Sequence, residues 1–309
     1  MPTVLPIPKF ISANGLIPFL EQLGACADVE TLELDFANLA RVSPAGLVAL
    51  TSLVAHRNRR NLATQFAGFE KCGIASYLRR MDLPTQCGLS SEGGAESVRD
   101  PKGRFIPLEE IDHRVERIGS AFADIFAPGG DDYGHANAGL YDTAYYLITE
   151  IANNVRQHSQ GKGFIAAQTT LIDGFIRIAI GDCGCGIPGS LKEAGYSWAQ
   201  ELSDEDIIAR ALVARVSCKG SPTNEGVGLT LSSRLIDAMG GNLLIASRSG
   251  LHIRLKGQER KFRPLAGGSK FPGTLITMSF RRSAAADFDQ MFNKLKDLEI
   301  PLRPRLLSS

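Results

Sequence analysis

Glu150-Ile-Ala-Asn-Asn154-Val-Arg-Gln-His158 and, further along, Gly181-Asp182-Cys-Gly184-Cys-Gly186-Ile187 are the stretches that decide the fold. The first continues a pattern that begins at Tyr141. Tyr141, Tyr145, Ile148, Ala152 and Val155 advance in steps of four and three, as on a helix with one buried stripe. Glu150, Asn154 and His158 recur every four residues and share a different face. A carboxylate there can accept a proton, and an amide oxygen suits a hard cation such as Mg²⁺. A solvated polar face on an ordinary amphipathic helix gives the same pattern.

The second stretch ends a strand. Phe175 to Ile180 alternate, with Ile176, Ile178 and Ile180 on one face, and Asp182 has their parity. An acid pointing into that layer needs a donor, and the exocyclic amine of a purine is one. Gly184 and Gly186 let the backbone pass close to a ligand. A glycine-rich turn capped by its own Asp is the plainer alternative. Further on, Asn224-Glu225-Gly226-Val227-Gly228-Leu229 leads into a helical pattern over Thr230 to Met239 that Gly240-Gly241 stop. Glycines ahead of a helix start leave free N–H groups at the positive dipole end, a cradle for phosphate. Gly273-Thr274 opens a last strand with Thr274, Ile276, Met278 and Phe280 on one face, which brings the threonine hydroxyl towards Asp182.

With these four segments in order, residues 106–282 resemble the Bergerat-fold ATPase domain of the GHKL superfamily. Glu150, Asn154 and His158 correspond to its N box, and Asp182, Gly184 and Gly186 to its first glycine box. Gly226 and Gly228 correspond to the second glycine box, and Gly273-Thr274 to the closing Gly-Thr. Asn224 stands where many members carry another glycine. The resemblance implies an α/β two-layer sandwich, a mixed sheet under a helical layer, with ATP and Mg²⁺ as ligands. It implies Glu150 as general base, Asn154 on Mg²⁺, and Asp182 on the adenine amine with Thr274 in support. Gly226 and Gly228 would cradle phosphate, with His158 and Lys219 as neighbours. Residues 187–225 would form a lid that contains Trp198.

Rival nucleotide motifs fare worse. Gly184-Cys-Gly186-Ile-Pro-Gly189 matches G-x-G-x-x-G, but Pro188 follows at once and the next helix, over Ser203 to Val216, opens on its own Ser203/Asp206 capping pattern. No G-x-x-x-x-G-K-[ST] is present.

The chain has 309 residues, 44% hydrophobic, enough for two cores, and a net charge of +1 that gives no field favouring nucleic acid. No run of 18 apolar residues occurs, so no membrane span is expected and the cytoplasm is the default location. Six cysteines without a C-x-x-C pair indicate neither zinc nor a disulfide framework. Pro84 to Arg104 is poor in apolar residues and reads as a linker, which divides the chain into residues 1–88, a linker at 89–105, the ATPase-like unit at 106–282, and a tail at 283–309 carrying an amphipathic stretch.

Within the first unit, Thr31 to Phe36 and Leu62 to Ala67 read as strands. Pro44 to Arg60 and Lys71 to Met81 read as helices, the first opened by its proline. Arg57, Arg59 and Arg60 form a basic cluster expected at a solvated helix end. This β-α-β-α pattern, with Ser43-Pro44-Ala45-Gly46 at the strand-to-helix turn, resembles the STAS domain of anti-sigma antagonists, which implies a protein partner. The family's acceptor serine corresponds to Ala45, so no phosphorylation switch is expected there.

Three functions are open at this point. One is a GHKL switch that binds Mg-ATP and hydrolyses it or passes phosphate to a protein hydroxyl. A second is a histidine kinase with His113 as acceptor, although few residues precede the N-box helix and they contain Ala127-Pro-Gly-Gly130. A third is a non-catalytic module that ATP merely fixes in shape.

Overall fold

The computed structural model describes residues 1–89, 104–132, 134–169, 174–213, 228–285, 288, 290–291 and 294. The N-terminal unit runs β1 (Thr3–Pro6), β2 (Phe10–Ile11), α1 (Ala13–Cys26), β3 (Thr31–Asp35), β4 (Arg41–Val42), α2 (Pro44–Arg59), β5 (Ala63–Ala67), α3 (Ala75–Arg80) and α4 (Leu83–Cys87). β1, β3 and β5 form a parallel sheet in the order β1-β3-β5, and β2 pairs with β4. α2 starts where its proline predicts, with the Ser43 hydroxyl accepting from the Gly46 N–H. The helix expected over Lys71 to Met81 is the shorter α3, preceded by a 3₁₀ turn at Phe69–Lys71 and followed by α4. Cys72 is extended, and Asp82 adopts a left-handed backbone just ahead of Leu83-Pro84.

The C-terminal unit runs β6 (Phe105–Glu110), α5 (Val115–Phe126), α6 (Ala138–His158), β7 (Gly163–Thr169), β8 (Phe175–Asp182), α7 (Gly186–Glu193), α8 (Ser197–Glu201), α9 (Asp204–Ala211), α10 (Gly228–Ala238), β9 (Asn242–Arg248), β10 (Gly250–Arg254), β11 (Lys261–Pro264) and β12 (Phe271–Arg281). Its strands make one seven-stranded sheet in the order β11-β10-β9-β12-β8-β7-β6. The fold is α/β, as expected. The mixed pairing expected within this sheet is replaced by antiparallel ladders throughout the described strands. α5 and α6 form a helical hairpin between β6 and β7, and two helices return the chain in the opposite direction.

Both faces of this sheet are covered. Ile165, Ile176, Ile178, Ile180, Ile276, Met278 and Phe280 pack under α5, α6 and α10. On α6 Ile148, Ala152 and Val155 of the expected stripe are buried together with Leu140, Ala144, Leu147 and Ile151, while Tyr141 and Tyr145 sit half-buried at its edge with stacked rings. The opposite face is lined by small residues, Ala166, Ala179 and Ala246, together with Phe164 and Leu275, and it receives α2 of the N-terminal unit. Val48 lies against Gly181, where a Cβ would come within 2.8 Å of its Cγ1.

α2 is therefore held between two sheets. Pro44 through Ala55 are all buried, which accounts for a helix apolar on every side. The two units share one continuous apolar cluster from Leu5 to Leu275. Backbone bonds cross between them as well, from Leu108 N–H to the Met81 carbonyl at 3.0 Å and from Ala266 N–H to Glu21 Oε1 at 3.0 Å.

The basic cluster at the end of α2 is only in part a solvated helix end, for Arg59 and Arg60 are exposed and Arg57 is not. Arg57 is fully buried and donates to the carbonyls of Ala27 (3.0 Å), Val29 (2.8 Å) and Ala63 and to Thr64 Oγ1 (2.9 Å). It thereby satisfies the backbone where α1 turns into β3. Arg60 is exposed and pairs with Asp28, while Arg59 reaches into the C-terminal unit. After β12 a 3₁₀ turn spans Arg282–Ala285, and Phe288 sets its ring 6.0 Å from Tyr146.

No helix among the described residues is long and apolar enough to cross a membrane. Burial of Val48 by both units leads to a direct expectation. Val48→Asp places an unpaired charge in the shared cluster and should cost about 3–5 kcal/mol. Urea unfolding followed by far-ultraviolet circular dichroism should show the native chain melting in one transition and the variant shifted as a whole. Two separate transitions, with only the first moved, would contradict a shared core.

Candidate functional site

The site lies where α6, the end of β8, the start of β12 and the start of α10 converge. α6 presents Glu150, Asn154 and His158 along one half-buried face, as their spacing predicts. Burial pushes the Glu150 carboxyl above its usual range. Its Oε2 occupies the space that a Cβ at Gly228 would need, so a larger first residue of α10 would make the Glu150 carboxyl move.

Asp182 closes β8 and is 3% exposed. Burial raises its pKa to about 6, against the opposing pull of the Gly184 N–H, the Ser159 hydroxyl, the Thr274 N–H and the Arg59 guanidinium. The Gly184 N–H donates to Asp182 Oδ1 at 2.8 Å. The turn after it is pinned to the end of α6, because the Cys185 N–H donates to the Ser159 carbonyl at 2.8 Å and the Cys185 thiol to the His158 carbonyl at 3.2 Å.

The glycines answer to this close packing. A Cβ at Gly184 would collide with the Ser159 carbonyl. Gly186 has φ 72° and faces the Ser247 hydroxyl, and Gly273 has φ 114° and faces the Asp182 backbone. Thr274 meets Asp182 through its N–H, while its hydroxyl pairs with Ser247 Oγ at 2.8 Å. Both hydroxyls accept from the Ile187 N–H at the start of α7, at 2.9 Å for Ser247 and 3.2 Å for Thr274.

Asp182, Gly184, Gly186 and Thr274 thus form one group, and Glu150 and Gly228 form another. α6 joins the two, with Asn154 and His158 between them. Lys219 and Gly226 lie outside the described residues.

The stretch expected as a lid is, as far as Val213, a set of three helices. Its Leu191, Ala199, Ile207 and Ala211 make a small core of their own, and α9 rests on β10 and β11. The expected helix over Ser203 to Val216 is α9, capped by Ser203 as predicted but ending at Ala211. Trp198 packs on Tyr196 and beneath Arg210, 4.8 Å from its ring centre.

Three site residues carry no motif. Ser159 follows His158 directly and could have been read as the helix-ending hydroxyl facing Asp182. Ser247 is fully buried on β9 and shows only as a polar residue in an apolar strand. Arg59 comes from the other unit and has no local signal.

Residues 139–263 match the family model described as histidine kinase-, DNA gyrase B-, and HSP90-like ATPase. This stretch is a GHKL-type ATPase domain. The match takes in Glu150, Asn154, His158, Asp182, Gly184, Gly186, Lys219, Gly226 and Gly228. It ends before Thr274 and does not reach residues 1–88. No curated protein and no solved structure matches the chain.

The carboxyl at the centre of the GHKL-type domain leaves a stability signature. Its folded pKa of about 6 lies above the ordinary 3.8, so below pH 6 the native chain holds a proton that the unfolded chain gives up. Stability from this group is full below 3.8 and is lost as pH rises through 6, amounting to about 3 kcal/mol. Asp182→Asn should remove that slope. Urea titrations of both chains from pH 4 to pH 7 check it, and parallel stability curves would contradict the assignment.

Proposed function

We propose that this chain is a nucleotide-dependent regulatory protein that binds Mg-ATP in its GHKL-type domain. It would hydrolyse the nucleotide or pass phosphate to a protein hydroxyl. The observation that carries the reading is the buried, raised carboxyl of Asp182 at the end of β8, in a position to accept the adenine amine.

Glu150 is the base in this reading. Its half-buried carboxyl is raised by desolvation, in the direction that suits proton abstraction near neutral pH. Asn154 would hold Mg²⁺. Among the described residues no group of three His, Cys, Asp or Glu is placed to hold a metal alone. In this reading the cation arrives on phosphate oxygens and takes one amide oxygen from the protein. Bound there, Mg²⁺ neutralises triphosphate charge. Thr274 supports Asp182, Gly228 and Gly226 would serve phosphate, and His158 and Lys219 would be its neighbours.

A histidine kinase is the weaker reading. His113 sits exposed in the turn before α5, and α5 is packed on α6 inside the C-terminal unit. The N-terminal unit, with its STAS-like element order, is proposed as the surface for a protein partner in the cytoplasm. The third reading, ATP as a conformational ligand alone, differs from the first only in turnover.

Calorimetry and a phosphate-release assay separate these readings. Asp182→Asn should weaken ATP binding roughly ten- to a hundredfold. GTP should bind poorly to the native chain, since guanine offers an oxygen where adenine offers the amine. Glu150→Gln should keep Mg-ATP affinity while turnover falls roughly 10²–10⁴-fold. Equal affinity for ATP and GTP would refute the base-reading role, and native turnover in the Glu150 variant would refute the base.

A further inference from the structure

Arg59 stands on the last turn of α2, outside the ATPase-type stretch, yet both ends of its guanidinium are spent on the nucleotide site. Nη1 donates to the Cys183 carbonyl at 2.8 Å and Nη2 to the Gln160 carbonyl at 2.9 Å. The first carbonyl belongs to the residue after Asp182. The second follows Ser159, whose hydroxyl bonds the Asp182 carboxyl and whose carbonyl receives the Cys185 N–H.

One planar cation therefore bridges the end of α6 to the loop that closes β8. The backbone is shaped for it. Gln160 takes a left-handed φ of 58°, and a Cβ at Gly161 would come within 2.8 Å of Arg59 Nη1 and 2.7 Å of the Gly184 nitrogen. On the same side of the sheet Val48, three turns earlier on α2, backs Gly181.

We propose that Arg59 is a positioning residue for nucleotide binding, by which the N-terminal unit holds the Asp182 loop against α6 in the geometry that reads the base. The proposal rests on the Mg-ATP reading above and deepens it. It makes the nucleotide site a product of both units, with a fork that reaches two carbonyls at once. A lysine at this position carries the charge but, as a single ammonium, does not reproduce the fork.

The groups facing the Asp182 carboxyl are known from each element around it. α2 brings Arg59, α6 the Ser159 hydroxyl, β12 the Thr274 N–H, and the loop itself the Gly184 N–H and the Cys183 thiol, which burial raises. Arg59 is the cation among them. Its removal should loosen the loop and make the carboxyl harder to ionise.

Full-length native chain, Arg59→Ala, Arg59→Lys and Arg60→Ala are compared by calorimetry with Mg-ATP from pH 5 to pH 8, with melting curves to set conditions where each is folded. Arg60 has the same charge, one residue on, and pairs only with Asp28 in the N-terminal unit. Arg59→Ala should weaken ATP about three- to tenfold and move the pH midpoint of binding upward. Arg59→Lys should keep the native midpoint and recover only part of the affinity, and serves if the alanine variant does not fold. Arg60→Ala should change neither.

Native affinity and native midpoint in Arg59→Ala would overturn the proposal while leaving the Mg-ATP reading intact. So would equal effects in Arg59→Ala and Arg60→Ala, which would mark a general charge effect. A native chain that binds no ATP at any pH would overturn both the reading and the proposal.

Discussion

Asp182 ends a strand inside the protein, and its carboxylate has to be surrounded by donors because water does not reach it. That one constraint brings four parts of the chain together. α6 must end at Ser159 so that its hydroxyl faces the acid. β12 must carry Gly273-Thr274 near its start so that a backbone N–H comes close, and residue 184 must be a glycine to turn its own N–H back. α2 must bring Arg59 within reach from the other unit. The donors do not fully compensate for burial, and the carboxyl remains raised. A ligand that supplies one more N–H gains by relieving that deficit.

The same constraint explains why the N-terminal unit is not an appendage. A sheet of this kind can leave one face to solvent. Here the face opposite the helices is floored with Ala166, Ala179, Gly181 and Ala246, too small to shed water alone, and α2 fills it. Every residue of α2 from Pro44 to Ala55 is buried, against the strands and against α1 and α4. A partner that shifted α2 would shift the wall behind Asp182, which in the proposed function would give nucleotide and partner a physical route to each other.

Much of the site was legible in sequence because it depends on local period. Glu150, Asn154 and His158 share a helix face by spacing alone, and Asp182 and Thr274 follow the parity of isoleucines in their own strands. What sequence did not show is contact between layers. Arg57 and Arg59 look alike in a run of basic residues, yet one is sealed under the α1–β3 turn and the other crosses to Gln160 and Cys183. Ser247 is one serine in an apolar strand until β12 brings Thr274 beside it. Pro44 marked where α2 starts, but nothing in the sequence reading showed that the helix is buried on all sides or which sheet covers its second face. Of the expected lid, only the part as far as Val213 lies among the described residues. There Leu191, Ala199 and Ile207, spread over three short helices, pack only once those helices are folded together, a contact that no local pattern shows.

The central claim is that Asp182 is a buried acid held ready for a purine amine. The most direct measurement is a carbon-13 NMR titration of its side-chain carboxyl, assigned with Asp182→Asn, with and without Mg-ATP. A midpoint near 6 in the free protein that falls when ATP binds is the predicted result. A midpoint near 3.8, or one that ATP leaves in place, would contradict it.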